Sequence, residues 1–187
     1  MVACSSTDTH GNTGSASFDV IVRDTTPPML SVADVTVNAT GPDGTVVSFS
    51  PAVDDVVDPE PTVHCVPASD SLFPIGTTRV DCTTSDALGN TSAPQAFNVH
   101  VKSAPEQIGD LTNKVLGFLG RSALSPVLRA RLQSAATALI GRNSALACRL
   151  LREFISVVRA VPVSVLPQAK KDELIGDAMR IRAVIGC

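Results

Sequence analysis

Five cysteines, three histidines, a run of carboxylates and a stripe of arginines are the residues of this 187-residue chain that could carry chemistry. Cys4, Cys65, Cys82, Cys148 and Cys187 are odd in number, so they cannot all pair within one chain. They show neither CxxC nor a Cys/His metal spacing, which argues against structural zinc. His64 and His100 fall on the outward phase of alternating segments, and with His10 they read as solvated residues, not general bases. Asp54, Asp55, Asp58 and Glu60 offer the hard oxygens that Ca²⁺ takes. Their spacing is not that of an EF-hand, and Pro59 and Pro61 favour a solvated turn. The sequence leaves Ca²⁺ binding there open. Gly120-Arg121-Ser122-Ala123-Leu124 begins like a nucleophile elbow but lacks the final Gly and lies between helical segments, so it reads as a loop. No Gly-rich phosphate loop is visible. Arg142, Arg149, Arg152 and Arg159 share one side of an amphipathic segment, as its solvated face or as a contact for an anionic polymer or the acidic part of the chain. The expectation is therefore no catalytic residue, no cofactor and no metal.

The elements that must position these residues divide in two. Residues 1–105 hold three basic residues against twelve carboxylates, a net −9, while residues 106–187 hold twelve against six, a net +6. Ten of the 13 prolines also lie in the first 105 residues. Both shifts mark a domain boundary near Pro105. There is no Trp, no Tyr and only six Phe, so recognition of sugars or bases by stacking lacks its usual platforms, and nucleic acid is not an expected partner. The most apolar stretch, residues 157–166, is short and carries Arg159 and Pro162, so no membrane span is expected.

Internal similarity organises the acidic half. Val2-Ala3-Cys4-Ser5-Ser6-Thr7-Asp8 and Gly11-Asn12-Thr13 align with Val80-Asp81-Cys82-Thr83-Thr84-Ser85-Asp86 and Gly89-Asn90-Thr91, and Phe18-Asp19-Val20 then aligns with Phe97-Asn98-Val99 after one extra residue. Residues 1–23 thus read as the end of a preceding repeat, and Cys4 as unpaired because its counterpart's partner would lie upstream. A signal peptide is likewise expected upstream. Short alternating runs at 34–40, 45–50, 62–66, 77–84 and 95–102, with a Gly41-Pro42-Asp43-Gly44 turn, predict an all-β sandwich. Its inward set is Val35, Val37, Val47, Phe49, Val63, Cys65, Val80, Cys82, Phe97, Val99 and Val101. A Cys65 to Cys82 disulfide fits those faces, and Phe73 is expected in a turn.

Asp24-Thr25-Thr26-Pro27-Pro28, Asn38-Ala39-Thr40-Gly41-Pro42, Phe73-Pro74-Ile75-Gly76-Thr77-Thr78, Val80-Asp81-Cys82 and Asp86-Ala87-Leu88-Gly89-Asn90 occur in the order found in the hyalin repeat (HYR) family, which this part of the chain resembles. The resemblance implies an immunoglobulin-like sandwich of an extracellular protein, usually assigned to cell adhesion. The Trp and the widely spaced cysteines of ordinary immunoglobulin domains are missing.

From Glu106 the hydrophobic period changes from 2 to 3.6. Ile108, Leu111, Val115 and Leu119 mark a first helix that ends at Gly120. Ser125-Pro126 suggests the N-cap and first position of a second, and Asn143 a cap for a third. A fourth runs from about Pro167 to Ile185. Short connections favour an antiparallel four-helix bundle. Cys148 and Cys187 are its only cysteines, and a bond between them would pin the chain end to the third helix. Ala147-Cys148, Phe154-Ile155-Ser156-Val157-Val158, Ala169 with Asp172-Glu173-Leu174-Ile175, and the Gly186-Cys187 ending resemble the FIMAH domain, a helical module that follows hyalin-type repeats in bacterial secreted or surface proteins.

The expected organisation is a preceding-repeat remnant at 1–23, a complete sandwich at 24–102, a linker at 103–106 and a four-helix domain at 107–187. The expected role is that of a non-enzymatic, extracellular adhesion or spacer fragment. Its partners would be an extracellular protein or polysaccharide and the upstream domains of the same polypeptide. Two alternatives are the accessory region of an extracellular hydrolase and a Ca²⁺-dependent or glycan-binding module.

Overall fold

Strands with strict alternation build the centre of the acidic half. The computed structural model describes residues 1–187. A first antiparallel hairpin joins β1 (Val2–Thr7) to β2 (Thr13–Phe18), with every residue exposed. Eight further strands follow: β3 (Met29–Ser31), β4 (Val35–Asn38), β5 (Thr45–Val47), β6 (Ala52–Asp54), β7 (Thr62–Val66), β8 (Ser71–Phe73), β9 (Gly76–Ser85) and β10 (Gln95–Lys102). One sheet has the order β4-β10-β9-β7, with β10 parallel to β4 and the other pairs antiparallel. Two short antiparallel pairs, β3-β6 and β5-β8, complete the β-rich domain.

Val47, Phe73, Val80, Cys82, Phe97, Val99 and Val101 are buried, and Val35, Val37, Phe49, Val63 and Cys65 are half-buried, so the alternating residues lie on the predicted face. Phe49 meets Phe73 and Phe97 edge-on, with ring centroids 6.2 and 5.0 Å apart. Cys65 and Cys82 face each other across β7 and β9 and are joined by a disulfide, their Cα atoms 4.1 Å apart.

One expectation changes here. Phe73 is not a turn residue: it ends β8 and is fully buried. Three-residue strands such as β3, β6 and β8 are too short to show a period, and Pro27, Pro28, Pro51 and Pro74 beside them read as breakers. The Gly41 to Gly44 turn lies against the same strand. Gly44 has φ 116°, and a Cβ there would fall 1.9 Å from the carbonyl oxygen of Phe73.

Four helices follow: α1 (Ala104–Leu119), α2 (Leu124–Ile140), α3 (Ser144–Ala160) and α4 (Gln168–Ile185). Each packs on the next, and α1 closes against α4. Connections this short make successive helices run in opposite directions. Asn143 caps α3, its side chain accepting from the Leu146 N–H at 2.9 Å. Ser125 does not cap α2. The helix starts at Leu124, because the turn through Ser122 is already bonded to Leu119 and Ser125 in helical fashion. A disulfide joins Cys148 on α3 to Cys187, Cα to Cα 6.1 Å.

Only Ser103 separates β10 from α1, and residues 103–106 hold the N-cap and first turn of α1. The buried apolar cluster passes through this junction without a break, from Ala39, Val99 and Val101 to Ala104, Ile108 and Leu111.

Candidate functional site

Gln107 is the polar residue at the centre of the junction. It stands on the buried row of α1 with Ala104, Leu111 and Val115 and is 2 % exposed. Its amide donates to the carbonyls of Ala39 at 3.1 Å and Lys102 at 2.9 Å. Its oxygen accepts from Nε of Arg180 at 3.0 Å. Arg180 in turn reaches Asp177 at 2.8 Å, and Lys114 lies 2.7 Å from Asp177 and 2.6 Å from Glu173. Burial pulls the Lys114 ammonium down, but the two carboxylates outweigh it and hold it above the ordinary lysine value. This polar seam ties α1 to α4 and, through Gln107, to β10 and the residue after β4.

A second set of contacts closes the rim of the junction. Glu106 accepts from the hydroxyl and the backbone N–H of Ser103 at 2.6 and 2.8 Å, and from Nε2 of His100 at 2.8 Å. Hydrogen bonds from the Ser103 side chain and backbone, then from His100, lower its carboxyl to about 2. Lys102 bonds Asp110 at 2.7 Å. His100 is therefore not simply solvated as the strand phase suggests. It is half-buried and bridges Thr77 on β9, at 3.0 Å, to α1. The strand register alone carries no signal for a helix packing onto that side. His64, by contrast, is exposed.

The carboxylates of the β6-β7 loop do not form one group. Asp55 accepts from the N–H groups of Val57 and Asp58, and Asp58 accepts from Glu60 and from Ala87 across the domain. Asp55 and Asp58 thus each hold a local turn through their side chains. Asp55 instead joins two residues far away in sequence: one oxygen each of Asp24, Asp55 and Asp86 lie within 4.8 Å of one another. Burial pushes the Asp86 carboxyl up, but hydrogen bonds from the Asn90 side chain and from the backbone of Asn90, Leu88 and Gly89 hold it below the usual carboxylate range.

The turn around Asp86 has an atom-for-atom counterpart in the first hairpin. Asp8 Oδ1 accepts from His10 and Asn12 N–H as Asp86 Oδ1 does from Leu88 and Asn90 N–H, and the side-chain amides of Asn12 and Asn90 return to the other oxygen. Gly11 and Gly89 have φ 87° and 88°. Val2 faces Phe18 as Val80 faces Phe97. The hairpin thus repeats the β9-β10 register, with Cys4 exposed and unpaired at the position of Cys82.

The four arginines of the stripe part company. Arg142 lies in the turn after α2 with φ 56°, and Arg149 reaches Glu153 at 4.0 Å. Arg152 and Arg159 border a concavity of about 420 Å³ between α3 and α4, together with Arg182 of α4, which sequence reasoning left out. Arg182 lies on the flank of the last helical turns, where a charge reads as ordinary solubility.

Ser122 lies in the connection between α1 and α2. No helix of the chain is long and apolar enough to cross a membrane. The disulfide-linked β9, its partner β7 and the capped Asp86 turn are the structural core of the motifs quoted above, and residues 23–101, which carry them, match the family model of the HYR domain.

Proposed function

We infer that the chain is a non-catalytic adhesion and spacer portion of a secreted or surface-displayed bacterial protein. In this reading residues 1–23 close a preceding HYR unit, 24–102 form a complete one, and 107–187 form a FIMAH-like end domain. The HYR match supports an extracellular adhesive module, and the two disulfides fit an oxidising compartment. One observation carries the spacer role: the apolar core runs unbroken from the sandwich into the helices, with Gln107 bonded to both sides. Such a junction has no free hinge. It holds the helical end at a set orientation on the sandwich, as a spacer that presents a terminal surface must. The recognition surface is then charge and backbone, because all but one of the six Phe are buried or packed on the core.

Adhesion of beads coated with the chain to extracellular polymer surfaces under flow tests this. Saturable attachment that soluble chain competes away is the expected result; detachment at the same shear as uncoated beads overturns it.

A further inference from the structure

We propose that the concavity between α3 and α4 is a binding site for the anionic groups of an acidic polysaccharide, with Arg152, Arg159 and Arg182 as its ligands. Arg152 and Arg159 are exposed and have no carboxylate partner; Arg182 faces them from α4. The first two are seven residues apart on α3, two turns or roughly 10.5 Å along the axis. That spacing suits charged sugars recurring along an extended chain. Ser156 stands between them on the exposed face and can hydrogen-bond a sugar hydroxyl or an acid oxygen.

Arg182 supplies an independent pointer. Its Nη2 donates to the Cys187 carbonyl at 2.8 Å, while its Nε is buried without a hydrogen-bond partner. With Nη2 held by that carbonyl and Nε enclosed, Nη1, which no protein group takes, is the donor left for an acid oxygen. The Cys148–Cys187 disulfide fixes the carbonyl that holds it, one turn before Arg152 on α3. Glu153 also borders the concavity, but its carboxylate is bonded by Arg131 at 2.6 Å and shared with Arg149.

The chemistry selects among polyanions. Bases would find no ring to stack on, since the walls carry no Phe. A peptide would find no backbone edge, because both walls are helices bonded internally. A membrane surface would need an apolar rim, and Met179 is the one exposed large apolar residue there. An acidic sugar chain needs only spaced cations and a hydroxyl.

The inference gives the adhesive reading a ligand class and rests on that reading for its extracellular setting. Its test uses the full chain in solution, with heparin and polygalacturonate as probes and calorimetry or fluorescence as readout. The double variant Arg152→Gln/Arg159→Gln should weaken binding roughly tenfold or more, the size expected for lost charge-assisted contacts. Arg142→Gln/Arg149→Gln removes the same net charge and should change it less than about twofold, because those side chains lie outside the concavity. Far-UV circular dichroism confirms that both variants fold. Equal losses in the two variants, absence of binding to both probes at low salt, or tighter binding to single-stranded DNA or phosphatidylserine vesicles than to either polysaccharide overturns the proposal. Binding that passes these tests while coated beads fail to adhere counts against the adhesive reading alone.

Discussion

The side-chain amide of Gln107 lies 3.1 Å from the carbonyl oxygen of Ala39, a bond between residues 68 apart that crosses from α1 to the end of β4. Its partner Arg180 completes the coordination from α4 at 3.0 Å. A buried amide satisfied on both ends is directional in a way that the apolar core around it is not, so it sets the rotation of the bundle on the sandwich.

Replacing Gln107 by Leu keeps the volume but leaves the buried Ala39 carbonyl and the Arg180 Nε without a partner, while the Lys102 carbonyl keeps only the Ala39 N–H. A loss of about 1–3 kcal/mol in urea unfolding is expected from stranded polar groups. Hydrogen exchange should rise locally around Ala39 and at the start of α1. An unchanged midpoint with unchanged exchange would show that the junction does not depend on this residue.

Glu106 makes the same junction acid-sensitive. Its carboxyl is lowered to about 2 in the folded chain, chiefly by the Ser103 side chain, from an ordinary value of 4.5. The unfolded state therefore binds the proton first, and this contribution is present above about pH 4.5 and is lost as pH falls toward 2. Denaturation midpoints of the native chain should fall through that window more steeply than those of Glu106→Gln. Parallel curves for the two proteins would refute the assignment.

Gly44→Ala should unfold the sandwich more readily than any other Gly-to-Ala change in it. The new Cβ would lie 1.9 Å from the Phe73 carbonyl oxygen at φ 116°, and positive φ alone costs roughly 1–2 kcal/mol for a residue with a Cβ. Thermal melts of Gly44→Ala beside Gly41→Ala check this, since Gly41 meets nothing within 4 Å.

The first hairpin should behave unlike the strands it imitates. Every residue of β1 and β2 is exposed, whereas Val80, Cys82, Phe97 and Val99 bury the equivalent face of β9 and β10. A two-stranded hairpin without a covering layer is marginal in water. Amides at 2–18 should exchange rapidly and those of β9 slowly, and Cys4 should alkylate without reduction while the other four cysteines do not. Slow exchange at 2–18 in a monomer, or a link from Cys4 to Cys65, would contradict the repeat relationship.

Several of these features are legible in residues close in sequence. Alternation places Val80, Cys82, Phe97, Val99 and Val101 on one face, and the change to a 3.6 period at Glu106 announces the helices. Asn143 can be read as a cap because its side-chain oxygen Oδ1 meets an N–H three residues away. Phe73 and β8 cannot be read, since a three-residue strand between a turn and Pro74 carries no period. Gln107 was within reach: its helical phase matches that of Leu111 and Val115, and a polar residue in that phase signals a buried partner.

The sequence by itself determined that an acidic, cysteine-bearing β domain precedes a basic helical one, and that residues 2–18 repeat the motifs of residues 80–97. Those properties reside in local periods, composition and repeated motifs, which survive without knowledge of distant contacts. Tertiary structure alone decided that Gln107 meets Ala39 and Arg180, that Asp55 lies beside Asp24 and Asp86, and that Arg182 joins Arg152 and Arg159. Each is a meeting of side chains from separate elements, and the packing angle and register between elements, which no single segment encodes, bring them together.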